Sequence, residues 1–155
     1  MVLLVSSEVL GMRSSKWWVL AGLLVVVDQV VKYFTVVYAP QGRWLFYVQN
    51  TGATFGLFPE ANSFLAAFSV LALGALGWLL VRSSSSWDSF GLSLVMAGVA
   101  GNFLDRLFRG FVVDMFRVGS FPVFNVADVL IVSGVFLLLV LEVPAVRRYV
   151  SGVAD

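Results

Sequence analysis

Phe124-Asn125-Val126-Ala127-Asp128 opens an apolar run that continues to about Val146. That run is long enough to cross a bilayer, which takes roughly 20 predominantly apolar residues. It therefore puts a carboxylate, Asp128, at the mouth of a membrane span. Upstream, Val112-Val113-Asp114-Met115 places a second carboxylate near another predicted boundary. Unpaired acids are costly at that depth, so an acid there argues for function. Two of them on neighbouring segments suggest a shared proton and acid–base chemistry in or beside lipid.

Composition agrees with a membrane setting. The 155 residues are 60% hydrophobic and 12% charged, with a mean hydropathy of +0.96. Soluble domains average about 45–50% apolar and about 25% charged residues. The length predicts a single integral membrane domain over residues 1–155. A net charge of +1 gives a nucleic-acid partner no electrostatic support. Without cysteine or histidine, disulfides, thiol nucleophiles, Ser-His triads and the usual zinc ligands are excluded. Catalysis would fall to carboxylates, hydroxyls, Lys or Arg, or to a hard oxygen-bound metal; the expectation adopted is that no metal or other cofactor takes part.

Four spans are predicted, at about 17–37, 63–81, 90–107 and 126–146. Residues 1–11 read as a surface helix or a non-native extension, because Met12-Arg13-Ser14-Ser15-Lys16 is an ordinary basic lead into a first span. Two connections are more than loops. The segment from Arg43 to Phe58 is aromatic and β-branched around Asn50-Thr51-Gly52, which predicts strands with a turn. The segment from Gly110 to Phe124 is similar, and both belong on one side of the membrane because two spans separate them. The fold class is thus all-α membrane protein: four transmembrane helices with a short extracytoplasmic β-rich platform. Arg13, Lys16, Arg82, Arg147 and Arg148 fall on the opposite side, which predicts cytoplasmic termini.

The polar residues gather into five clusters: Asp28-Gln29-Val30-Val31-Lys32, Asn50 to Gly56, Gly101 to Arg106, Val112 to Met115, and Phe124 to Asp128. This ordered series resembles the lipoprotein signal peptidase (signal peptidase II) family from about Asp28 to Ile131. The resemblance implies an intramembrane aspartyl endopeptidase of the bacterial cytoplasmic membrane. Such an enzyme removes the signal peptide of diacylglyceryl-modified prolipoproteins just before the lipidated cysteine. It implies catalytic aspartates at Asp114 and Asp128. Asn50, Gly52, Asn102, Asp105, Arg106 and Asn125 match polar positions around the site, and Asp28 and Lys32 match the first-span motif. The implied partners are the lipidated precursor and membrane lipids, and a monomer suffices because one chain holds both acids. Asp114 and Asp128 stand 14 positions apart, closer than the family leads one to expect.

The residues fit that chemistry independently. Amide hydrolysis by a carboxylate-activated water needs one acid ionised and one protonated. Close carboxylates in a low-dielectric site split their pKa values in this way. Asparagines can hold peptide backbone and orient the acids without adding charge.

Plainer readings stand beside these. Asp28 and Lys32, four apart, can form an intrahelical ion pair that eases insertion. Asp105-Arg106 can be a salt bridge at a membrane edge, and Asp105 is a rival to Asp114 as the partner of Asp128. Asn50-Thr51-Gly52 can be a turn and nothing more. The same membrane acids would also suit a small proton-coupled carrier, or a divalent-metal enzyme acting on lipid phosphate.

Overall fold

The computed structural model describes residues 2–39, 46–52, 62–144, 146 and 152. Four helices and two short strands follow in the order α1 (Val2–Tyr38), β1 (Val48–Asn50), α2 (Asn62–Arg82), α3 (Ser86–Arg109), β2 (Val112–Asp114) and α4 (Val126–Leu141). The molecule is thus mostly helical with a small two-stranded sheet.

Two described segments are long and apolar enough to cross a membrane: Ser15–Tyr38 with mean hydropathy 1.8, and Asn62–Arg82 with 2.3. α4 is equally apolar but shorter. It ends at Leu141, whereas the sequence predicts continuation to Val146. The reason lies in Pro144, which has no N–H to extend the ladder. The Glu142 N–H instead closes the helix on the Leu139 carbonyl, and the Val143 N–H on that of Val140. α3 is amphipathic, and its inward face carries Ser89, Ser93, Asn102 and Asp105. The exterior is inverted relative to a soluble protein: Phe64, Leu71, Val132 and Phe136 are all exposed, while Asp28, Lys32, Asp105 and Asn125 are fully buried. Such an apolar exterior suits hydrocarbon as the surrounding solvent.

α3 is the central helix and packs against the other three. Its contact with α4 is close because glycines face backbone: at Gly98 a Cβ would stand 2.3 Å from the Ala127 carbonyl oxygen, and at Gly134 2.7 Å from that of Gly91. Ala21, Leu80, Leu92, Met96 and Ala97 form the apolar core towards the other end of α3. Ser85 caps α3 by accepting the Asp88 N–H, and Gly110 ends it at φ 79°, a left-handed conformation that glycine adopts without penalty.

The sequence predicts strands with a turn inside the Arg43–Phe58 connection. The described part of it holds one strand, β1, which pairs antiparallel with β2 of the other connection, Val48 opposite Asp114 and Asn50 opposite Val112. Residues 53–61, including Thr54, lie outside the described residues. Two short strands from different connections satisfy each other's backbone groups. Asn50-Thr51-Gly52 is also a turn, the Gly52 N–H donating to Asn50 Oδ1 at 3.1 Å. Beyond β2 the chain folds back through the Phe116–Phe124 bridge and so arrives at α4.

Candidate active site

The first turn of α4 is built by its own side chains. Asn125 is the N-cap, in extended conformation, and its Oδ1 accepts the Asp128 N–H at 2.9 Å. Asp128 Oδ2 accepts the Asn125 N–H at 3.1 Å, completing a reciprocal capping box. The cap orients the Asn125 amide, since its oxygen is committed to a backbone donor. Its Nδ2 must therefore point elsewhere, and it donates to Asp114 Oδ1 at 2.6 Å and to Asn102 Oδ1 at 3.2 Å. One asparagine thus connects both acids.

Asp114 ends β2 and is 2% exposed. Its Oδ2 accepts Asn50 Nδ2 at 3.0 Å, brought across the sheet by the β1–β2 pairing. Asp128 Oδ1 accepts Asn102 Nδ2 at 2.9 Å. Each oxygen of the two carboxylates therefore holds one N–H donor. Burial pushes the Asp114 carboxyl up to about 6. The bonds from Asn50 and Asn125 oppose that shift, the nearby Asp128 charge adds to it, and Lys32 opposes it.

The two acids face one cavity of about 530 Å³. Asn50, Gly52, Asn102 and Arg106 line its polar end together with Asp114 and Asp128. The rest of its wall is largely apolar, made by Phe121 to Phe124 and by Val129, Ile131 and Val132 of α4. Arg106 donates weakly to the Asn102 carbonyl at 3.5 Å.

The remaining four predicted residues lie behind this wall. Asn125 is fully buried, as are Asp28, Lys32 and Asp105. Asp28 and Lys32 form the intrahelical pair at 2.9 Å, and Lys32 also reaches Asp105 at 2.9 Å. The expected Asp105–Arg106 bridge is a correction. Adjacent residues point about 100° apart on a helix, whereas residues four apart share a face. Asp105 accordingly pairs with Arg109 and, across to α1, with Lys32. Arg106 is left to the cavity.

Sequence reasoning missed Gln29 and Arg109. Gln29 Nε2 donates to Asp28 Oδ2, to the Gly101 carbonyl and to Asp105 Oδ1, while its Oε1 accepts Arg109 NH1 at 3.0 Å. The signal for Arg109 was its four-residue spacing from Asp105. Nothing in the sequence pointed to Gln29 beyond its place beside Asp28. Among the described residues no three acids converge as an oxygen-ligand cage for a cation would need.

Similarity to known proteins bears on this geometry. The family described as "Signal peptidase (SPase) II" matches residues 20–143. The lipoprotein signal peptidase of Streptococcus pneumoniae is 39% identical over 131 residues, covering 76% of this chain and 86% of that one. That of Enterococcus faecalis is 36% identical over 152 residues, covering 88% and 94%. A solved bacterial membrane enzyme superposes with a TM-score of 0.73 at 27% identity, over 81% of this chain and 85% of its own. The comparisons lend no support to a proton-coupled carrier. With a family match over most of its length and relatives of this identity, the chain belongs to the signal peptidase II family.

Proposed function

We propose that this protein is an aspartyl endopeptidase that cuts the signal peptide from diacylglyceryl-modified prolipoproteins just before the lipidated cysteine, with Asp114 and Asp128 as its catalytic pair. The observation that carries this reading is the pair itself: two acids bordering one cavity, clasped by Asn50, Asn102 and Asn125, in a member of a peptidase family.

Asp114, buried and with its carboxyl raised to about 6, holds the shared proton. Asp128, whose oxygens accept from Asn102 and from the Asn125 backbone, is the base. A water between them loses a proton to Asp128 and attacks the scissile carbonyl carbon. Asp114 gives its proton to the carbonyl oxygen. The tetrahedral intermediate then collapses: one of its hydroxyls returns a proton to Asp114 as the carbonyl re-forms, the C–N bond breaks, and the amine leaves with the proton that Asp128 had taken. Arg106, at the cavity wall, supplies a fixed cation beside the polar end, suited to a peptide carbonyl of the substrate.

The apolar wall of Phe121 to Phe124 and of α4 suits the acyl chains of the lipidated cysteine, which would run outward past Val132. The substrate then presents its peptide to the acids and its lipid to the bilayer. Four helices span the membrane in one domain, and one chain suffices. Lys16 over Trp17 and Arg82 over Trp78, at the end remote from the acids, support reading that end as the cytoplasmic interface. The sheet and the site accordingly face the exterior of a bacterial cytoplasmic membrane.

The test is mass spectrometry on the products of a diacylglyceryl-modified prolipoprotein incubated with the purified protein in detergent. The expected products are the intact signal peptide and a protein beginning at the lipidated cysteine. Cleavage elsewhere, or equal cleavage of the unlipidated precursor, would overturn the proposed substrate class.

A further inference from the structure

Lys32 lies outside the cavity, yet all three of its ammonium protons lead to the acids. It is fully buried, and its Nζ donates to Asp28 Oδ2 at 2.9 Å, Asp105 Oδ2 at 2.9 Å and Asn102 Oδ1 at 3.0 Å. Each acceptor passes the constraint on. Asp28 Oδ1 accepts the N–H of Ala127, the residue before Asp128, at 2.9 Å. Asp105 Oδ2 accepts the N–H of Val113, the residue before Asp114, at 3.1 Å. Asn102 donates to Asp128 itself.

The amide orientations sharpen the point. Each of the three clasping asparagines must turn its NH2 towards an acid. Asn50 is turned by the Gly52 N–H and Asn125 by the Asp128 N–H, both backbone donors that occupy the amide oxygen. Among the described residues no backbone N–H donates to Asn102 Oδ1, which instead accepts Lys32 and Asn125 Nδ2. A flipped Asn102 would set its NH2 against an ammonium and a second NH2. Lys32, at the shorter distance, thus joins Asn125 in fixing the amide that holds Asp128.

We infer that Lys32 is a positioning residue that sets the spacing of Asp114 and Asp128 from behind the cavity, without touching substrate. The inference rests on the catalytic reading of the two acids. It separates Lys32 from Arg106, which borders the cavity and is placed to meet substrate.

The test is steady-state cleavage of a diacylglyceryl-modified prolipoprotein by Lys32→Met, Asn102→Leu and the double variant, with pH profiles. Buried charge balance is preserved in a second background, Asp28→Asn/Lys32→Met, in which the Asn oxygen can still accept the Ala127 N–H. The expected result is a fall in kcat on the order of 10–100-fold, as for other residues that orient catalytic groups, with KM within about twofold. The double variant should lose less than the product of the two single losses, because Lys32 acts on Asp128 in part through the Asn102 bond. The charged groups facing the acids are Asp28 and Lys32 from α1 and Asp105, Arg106 and Arg109 from α3. Loss of the Lys32 charge should therefore move the alkaline limb to higher pH. Wild-type kcat in a folded variant, a change confined to KM, or additive losses would overturn the inference. So would failure of both backgrounds to fold, which would make Lys32 a stability element. No cleavage by the wild type would instead refute the peptidase reading itself.

Discussion

The contact between Gly98 and α4 makes a sharp test of how the site is held. In Gly98→Ala the new methyl would sit 2.3 Å from the Ala127 carbonyl oxygen, 2.7 Å from Ile131 Cγ1 and 3.1 Å from the Ile131 backbone nitrogen, where ordinary contact begins at 3.4 Å. Two of these atoms are backbone, so no rotamer change relieves the overlap. The first turn of α4 has to retreat from α3 by about 1 Å, and overpacking of this kind costs about 1–3 kcal/mol. That turn carries Asn125 and Asp128, whose bonds to Asn102, one turn along α3 from Gly98, are 3.2 and 2.9 Å long. A retreat of that size breaks or stretches both, and misplacement by about 1 Å lowers a rate by roughly 10²-fold. The assay pairs thermal unfolding in detergent with cleavage of a lipidated precursor. Gly22→Ala and Gly74→Ala, where a Cβ meets nothing within 4 Å, serve as controls and should retain both properties. A Gly98→Ala protein that melts and cleaves like the wild type would refute the reasoning.

Other outcomes follow from the same geometry. Gly101→Ala would bring a methyl to 2.5 Å from Asp28 Oδ2; it should lower stability by about 1–3 kcal/mol, and an unchanged melting temperature would count against the buried ion cluster as drawn. Arg106→Gln removes the cation from the cavity wall; KM for the lipidated precursor should rise more than kcat falls, and the reverse pattern would assign Arg106 to chemistry. Activity should decline as pH rises through about 6, because Asp114 then loses the proton it must donate; a kcat/KM profile flat from pH 5 to 8 would contradict this. Stability carries the same sign. An acid raised in the folded state contributes stability that is complete below its unfolded pKa of about 4 and is lost as pH rises through about 6. The melting advantage of Asp114→Asn over wild type should therefore be larger at pH 8 than at pH 4, and parallel melting profiles would exclude it.

Much of this was legible in the chain. Asn125 and Asp128, three apart before an apolar run, announced a helix start with an acid in its first turn, and the capping box realises that pattern. Pairing between distant segments was less legible. Alternation and β-branching mark a strand without naming its partner, and the pairing of β1 with β2 of the other connection is therefore seen only in the structure. Asp105 was read with its sequence neighbour Arg106, although helical geometry selects Arg109. The role of Lys32 was the least visible, since its contacts with Asp105 and Asn102 join residues about 70 positions apart. The ion pair with Asp28 was readable from spacing, and it is one of three bonds.

The central claim is that Asp114 and Asp128 together hydrolyse the bond. It is tested most directly by turnover of a diacylglyceryl-modified prolipoprotein by wild type, Asp114→Asn and Asp128→Asn at equal concentrations of folded protein. The account predicts cleavage by the wild type and none by either variant, each still melting cooperatively. Wild-type-like turnover by either variant would remove that residue from the pair and contradict the account.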